Sequence, residues 1–368
     1  MHFVVVFMVA QICNGGRSRF PSSIKVHRHL NLLNNAPVKS IKSPDGDTID
    51  CVHIAHQPAF DHPILKNHTI IKTRPSYHPD WIKDENINMN SSKSFTQLWH
   101  SNGKCPKGTI PIRRTKKEDM LRASSLKSYG RKNSVSRQSS IDSEFEDVTK
   151  DHEYATARTD GLFYGAKATF NLWNPKVQRQ DEFSLGQLWI TRGSGSDLNT
   201  IEAGWQVYPG LYGDSSTRLF IFWTSDGYQK RKCYNLGCPG FIQTNNEIVL
   251  GGTLSPISQV DGSQYEMTIL IWKDRKEGDW WMKFGETVVG YWPASLFTSL
   301  RESASTVEWG GEVVNLKSDG TPESLQTYSP ENSCYDIVLG MNDNSGRWFY
   351  YGGPGRNPNG LLDDILLE

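Results

Sequence analysis

Ile201-Glu202-Ala203-Gly204-Trp205-Gln206-Val207-Tyr208-Pro209 alternates with a period of two, the pattern of a half-buried strand. As a strand it sets Ile201, Ala203, Trp205 and Val207 on one face and Glu202, Gly204, Gln206 and Tyr208 on the other. The first face is apolar throughout and belongs in a core. The second carries a carboxylate beside a glycine, whose missing side chain leaves backbone that another chain can approach closely. A single Glu on such a strand ordinarily points to water. A second segment, Val307-Glu308-Trp309-Gly310-Gly311-Glu312-Val313-Val314, has the same build, so two strands of this kind would set paired carboxylates across one cleft.

The surrounding sequence is strand-rich. Leu219-Phe220-Ile221-Phe222-Trp223-Thr224 runs into the turn signal Asp226-Gly227, and Tyr265 to Trp272, Lys273 to Asp279 and Trp280 to Phe284 read as strand, charged turn and strand. Gly193-Ser194-Gly195-Ser196 lacks the lysine and strand-helix context of a phosphate loop and reads as a hairpin loop. Pro293 to Leu300, with a leading Pro and Leu296, Phe297 and Leu300 at helical spacing, is expected to form a short helix. Many short strands and few helices predict a mainly β domain, an antiparallel β-sandwich, from residue 154 to 368. Ten of the twelve Trp lie in it, as core or as a carbohydrate-stacking surface.

The first half is different in character. Residues 3 to 10 form an apolar run that fits a short signal-peptide core within residues 1–16 and is too short to span a bilayer. Residues 37–123 are rich in turn signals and form a small N-terminal domain. Residues 124–153 are Ser-rich and read as a solvated linker. Eleven Lys or Arg between Lys104 and Arg137 make a local basic stretch, yet the whole chain balances 40 basic against 40 acidic residues, so nucleic acid is not an expected partner. No segment predicts a membrane helix.

The six cysteines lack zinc-site spacing, and no HExxH helix, nucleophile elbow or glycine-rich phosphate loop is present, so neither metal nor cofactor is expected. Cys233 and Cys238 are spaced to close a tight disulfide loop, and Cys51 with Cys105 is the natural second pair, free thiols being the alternative. Asn67 and Asn90 head glycosylation triplets.

Longer motifs point to a family. Leu198 to Pro209, Leu211-Tyr212-Gly213-Asp214, Thr217-Arg218-Leu219-Phe220, Ile271-Trp272-Lys273-Asp274, Val289-Gly290-Tyr291-Trp292-Pro293, Val307 to Glu312 and Tyr350 to Arg356 resemble the neprosin family of plant glutamic peptidases. Lys42 to Asp47, Pro58 to Pro63 and Cys105 to Arg114 resemble that family's activation peptide. The resemblance implies a monomeric, secreted zymogen, apoplastic, cell-wall or vacuolar, that cuts proline-containing peptides on the carboxyl side of proline at acid pH, with its own prodomain as inhibitor. It places the catalytic pair on Glu202 and Glu312, whereas strand parity alone leaves Glu308 and Glu312 equivalent unless Gly310-Gly311 forms a bulge. Gly204, Gln206 and Gly310 are candidate substrate contacts, Gln206 having a structural alternative. Two departures from the family pattern are a missing strand block between 315 and 334 and a missing C-terminal cysteine, which leaves Cys334 without a partner. An inactive homologue acting as a cell-wall or carbohydrate-binding sandwich is therefore the alternative, and a glycosidase a third.

Overall fold

A computed structural model describes residues 23–68, 72–79, 96–123, 125–126, 129–131, 152–314, 336–342, 346–352 and 365–366. Cys13, Asn90 and Cys334, and the segment from 315 to 335, lie outside the described residues.

The N-terminal region opens with helix α1, Ser23–Leu33, which precedes the expected domain start and was not signalled by the sequence reading. Strands β1, Lys39–Lys42, and β2, Thr48–His53, form a hairpin whose turn is closed by Gly46 at φ +84°, donating its N–H to Ser43. The short β3, Thr96–Gln97, precedes β4, Thr109–Arg113, and β1-β2-β4 make an antiparallel sheet. The Cys51–Cys105 disulfide staples it, and Ile41, Ile49 and Trp99 pack around that bond. Helix α2, Lys117–Arg122, ends the region.

The rest is a two-layer sandwich. In chain order its elements are β5, His152–Phe163; β6, Gly165–Asn171; β7, Phe183–Arg192; β8, Asn199–Val207; α3, Pro209–Tyr212; β9, Arg218–Thr224; and β10, Cys233–Tyr234. They continue with β11, Ile242–Gln243; β12, Leu254–Ser255; β13, Glu266–Lys273; β14, Trp280–Phe284; β15, Thr287–Trp292; and β16, Ala304–Val314. The last are β17, Asp336–Asn342, and β18, Gly346–Gly352, which pair with each other as a separate two-stranded sheet, and β19, Ile365–Leu366. One sheet has the order β10-β9-β8-β7-β16-β5-β19 and the other β11-β15-β14-β13-β6. Every pairing within both sheets is antiparallel except β19 with β5.

Strand parity explains how the layers meet. Ile201, Ala203 and Trp205 of β8, Leu188 and Ile190 of β7, and Leu219 and Ile221 of β9 face the second sheet and join its Ile269, Ile271 and Tyr291 in one core. Trp272, Trp280, Trp281 and Trp292 are fully buried there, each contributing up to about 3 kcal/mol of apolar burial. Among the described residues, most Trp are thus core packing, Trp99, Trp189, Trp205 and Trp223 being buried as well and Trp173 and Trp309 half-buried.

The helix expected over Pro293–Leu300 is instead two separate 3-10 turns, Ala294–Leu296 and Ser299–Arg301. The Asn199 side-chain oxygen accepts the backbone N–H groups of Thr298, Ser299 and Leu300, holding them away from helical partners.

The N-terminal region docks along the sandwich. Gln57 exchanges two hydrogen bonds with the Gln243 backbone, β3 pairs with β12, Ala59 and Leu65 enter the main core, and Ser76 Oγ donates to Asp274 at 2.6 Å.

Candidate active site

The face of the seven-stranded sheet turned away from the second sheet carries the polar half of the pattern. Paired residues on antiparallel strands share a face, so three rows cross it. They run Tyr154–Glu312–Leu185–Gln206–Arg218, then Thr156–Gly310–Gln187–Gly204–Phe220, then Arg158–Glu308–Trp189–Glu202–Phe222. The β16 register is continuous through Gly310 and Gly311, so no bulge separates Glu308 from Glu312. Glu202 and Glu312 stand diagonally on either side of a middle row in which Gln187 lies between two glycines.

Those glycines are required by space. A Cβ on Gly204 would meet the Gly186 carbonyl oxygen at 2.0 Å, and one on Gly310 would meet that of Ala155 at 2.2 Å, with Gly310 also at φ +149°.

Both carboxylates are buried: Glu202 is 2% exposed and Glu312 0%. Glu202 Oε1 accepts hydrogen bonds from Thr200 Oγ1 at 2.8 Å and Tyr228 OH at 2.9 Å. Glu312 Oε1 lies 2.5 Å from His152 Nδ1 and accepts from Tyr154 OH at 3.3 Å, and its Oε2 accepts from Gln187 Nε2 at 3.4 Å. Glu308, half-buried, accepts from Thr156 Oγ1 at 2.5 Å. Gln206 is fully buried and donates its amide to Tyr212 OH at 2.7 Å, so its side-chain donor is committed within the fold.

An aromatic layer surrounds this face. Phe183, Tyr208, Phe220, Phe222 and Tyr234 form one cluster, flanked by Tyr129, Tyr154 and Tyr228. The Cys233–Cys238 disulfide closes a loop carrying Tyr234, and Tyr228, in the turn after β9, takes a left-handed φ of 62° to reach Glu202. Burial first, and then the Glu312 charge, raise the Tyr154 hydroxyl well above the usual value of 10. Burial and then Glu202 do the same for Tyr228. Tyr234 is raised well above 10 by burial, then by Tyr208 and the two glutamates. All three hydroxyls stay protonated below pH 10.

The N-terminal region reaches the end of the Glu312 row. Arg218, 0% exposed, donates to Asp47 Oδ2 at 2.7 Å and to Asp214 Oδ2 at 2.5 Å. Arg113 joins from β4, donating to Asp47 at 2.9 Å and to Asp119 at 3.1 Å. Burial would raise the Asp47 carboxyl, but Arg218 and Arg113 outweigh it and bring it down to about 2. Beyond α2 the chain lies along the sheet edge, where Tyr234 N–H donates to the Gly130 carbonyl at 2.8 Å.

Comparison with known proteins now bears on the grid and its docked N-terminal region. Residues 180–323 match the family described as "Neprosin", and residues 40–158 match that described as "Neprosin activation peptide". The chain belongs to the neprosin family. Its activation-peptide region is therefore the part that supplies Asp47, on which Arg218 and Arg113 converge. Among solved structures, Scytalido-glutamic peptidase with a peptide-based transition state analog is 11% identical, with 55% of this chain and 72% of that chain covered at a TM-score of 0.25. The homodimeric agglutinin CG-16 from chicken liver is 10% identical, covering 43% of this chain and 93% of that one at a TM-score of 0.22. Likenesses at these scores carry no argument about the site.

Sequence reasoning named Glu202, Glu312, Gly204 and Gly310, which share this face, and missed His152, Tyr154, Gln187, Thr200 and Tyr228. Gln187 carried a signal, as a polar residue inside the otherwise apolar or small stretch Leu185-Gly186-Gln187-Leu188-Trp189. Of the glycosylation candidates, Asn67 is exposed.

Proposed function

We propose that this neprosin-family chain is a secreted zymogen of a glutamic endopeptidase that cleaves after proline at acid pH, with Glu202 and Glu312 as its acid and base. The observation that carries the reading is a pair of buried carboxylates on one sheet face, diagonally on either side of a row in which Gln187 lies between Gly204 and Gly310. Three donors converge on Glu312, an arrangement suited to an ionised acceptor, so Glu312 is the base. Thr200 and Tyr228 hydroxyls hold Glu202 across the middle row, and with Glu312 as the base Glu202 is the acid.

In the reaction, Glu312 takes a proton from water as the water oxygen bonds to the scissile carbonyl carbon. Glu202 then gives its proton to the leaving nitrogen and the C–N bond breaks. Acid pH keeps that proton in place, because two carboxylates facing one cleft do not both ionise cheaply. Phe183, 5.4 Å from Tyr208 and 5.6 Å from His152, offers an aromatic wall beside Glu312 for a pyrrolidine ring.

Secretion is supported by the two disulfides. Inhibition by the prodomain is supported by Asp47 accepting from Arg218, and Arg113 donating to the Tyr212 carbonyl, at the end of the Glu312 row. The window expected for the freeing cut runs from about Ser124 to Asp160, but from His152 onward the chain is β5, whose His152 and Tyr154 hold Glu312, so we propose the cut before His152, with Arg113-Arg114 and Lys116-Lys117 as dibasic alternatives.

Peptides with a single internal proline, incubated with the acid-treated full chain at pH ~4 and pH ~7 and mapped by mass spectrometry, test the reading. Scission on the carboxyl side of proline, faster in acid, is expected. Cleavage indifferent to proline would overturn the specificity, and no cleavage of any peptide would overturn the enzyme.

A further inference from the structure

The middle row of the grid holds a side chain that the acid and base do not account for. Gln187 lies on β7 between Gly204 and Gly310, so on either side of it the sheet is bare backbone. It is fully buried, and its Nε2 is directed at Glu312 Oε2, 3.4 Å away. That direction fixes the amide, since a carboxylate accepts and does not donate, and the carbonyl end must therefore turn away from Glu312. Among the described residues this carbonyl oxygen, Oε1, has no hydrogen-bond partner. A buried amide oxygen without a donor is unfavourable, and folded proteins rarely keep one without a use for it. Gln206 also has an unpartnered Oε1, but its amide is anchored on Tyr212 at the Arg218 end of the neighbouring row.

We propose that Gln187 is a third catalytic residue, which holds the attacking water by accepting one of its hydrogens on Oε1 while Glu312 accepts the other. The proposal rests on the acid and base reading above. Water has two donor hydrogens and needs its lone pair aimed at the carbonyl carbon. Two acceptors in fixed positions, Gln187 Oε1 and Glu312, orient it in that way. The long amide-to-carboxylate distance is one that a bound substrate can tighten. Gln187 exchanges no proton, so the atoms balance as before: the water proton passes to Glu312 and the Glu202 proton to the nitrogen.

The test uses the full chain at acid pH with Gln187→Met, which keeps length and loses both polar ends, and Gln187→Glu, which when protonated restores an acceptor and a donor. Gln187→Met is expected to lower kcat by about tenfold to a hundredfold. KM stays within about threefold and Tm stays unchanged. Its Kd for a peptide phosphinate with a tetrahedral P–OH at the scissile position should rise by a similar factor, while its Kd for the plain peptide does not. Gln187→Glu should recover kcat only at the acid end, where its carboxyl is neutral. The proposal is overturned if Gln187→Met keeps kcat within twofold, if plain peptide and phosphinate weaken equally, or if the two variants behave alike at every pH. Phosphinate binding decides the matter even if turnover is too slow to measure. Full activity in Glu312→Gln would instead remove the acid and base reading, whatever Gln187 does.

Discussion

His62 of the activation-peptide region gives the most specific route by which acid would loosen the prodomain. Its Nδ1 accepts the Ile64 N–H at 3.2 Å, capping the turn Pro63–Leu65, and its Nε2 faces the Arg231 guanidinium of the sandwich. A neutral imidazole can still accept at one nitrogen; protonation removes that acceptor and sets a cation against Arg231. Burial first and Arg231 second hold the His62 pKa down to about 4, against 6.5 for a free histidine. The undocked segment therefore binds the proton more readily. Docking is at full strength above pH 6.5, weakens as pH falls from there to about 4, and loses nothing further below. That interval is worth about 3 kcal/mol gross at about 1.4 kcal/mol per tenfold, and about 1–2 kcal/mol after discounting for solvent near the surface. His68, also lowered by burial and 3.0 Å from Tyr291 OH, acts in the same sense. In a His62→Gln variant, limited proteolysis of the prodomain across pH ~7 to ~4 should show the pH dependence of docking reduced by about fivefold to thirtyfold. A variant whose proteolysis profile matches the wild type over that range would refute the His62 trigger.

Other perturbations bear on the same frame. Asp47→Asn leaves Arg113 and Arg218 short of a buried counter-charge and should cost about 3 kcal/mol of prodomain docking, read as a lower melting temperature at neutral pH. Because Asp47 is depressed to about 2 from 3.8, its contribution is present above pH 3.8 and disappears only as pH falls towards about 2, so this contact survives the acid that titrates His62. Gly310→Ala should cost more than about 2 kcal/mol in urea unfolding, since its Cβ would lie 2.2 Å from the Ala155 oxygen at a left-handed φ. Replacing Cys51 and Cys105 by Ser opens a bridge across a separation of 54 residues and should lower stability by about 4 kcal/mol, measured by thermal unfolding.

Much of the sandwich was legible because burial on one face imposes a period of two. Residues 201–209 gave the correct division, with Ile201, Ala203 and Trp205 inward and Glu202 on the opposite face. The hairpin around Lys273 to Asp279 and the Cys233–Cys238 loop were readable for similarly local reasons, whereas Cys51–Cys105, 54 residues apart, was read as the pair left over. The helix over Pro293–Leu300 was misread because a residue nearly a hundred positions away, Asn199, takes its backbone donors. Parity could not choose between Glu308 and Glu312, which share a face; their partners differ, Thr156 for one and His152, Tyr154 and Gln187 for the other. Those partners come from β5 and β7, and only strand order brings them together. The docking of Asp47 on Arg218 was illegible for the same reason, being a pairing across 171 positions of sequence.

The central claim is that Glu202 and Glu312 perform the hydrolysis. The most direct measurement is kcat of the processed full chain on a proline peptide at acid pH for wild type, Glu202→Gln and Glu312→Gln, with circular dichroism showing that each is folded. Each substitution keeps shape and removes one acid–base group, so each should lower kcat by about 10²- to 10⁴-fold with the fold intact. Wild-type turnover in either folded variant would contradict it.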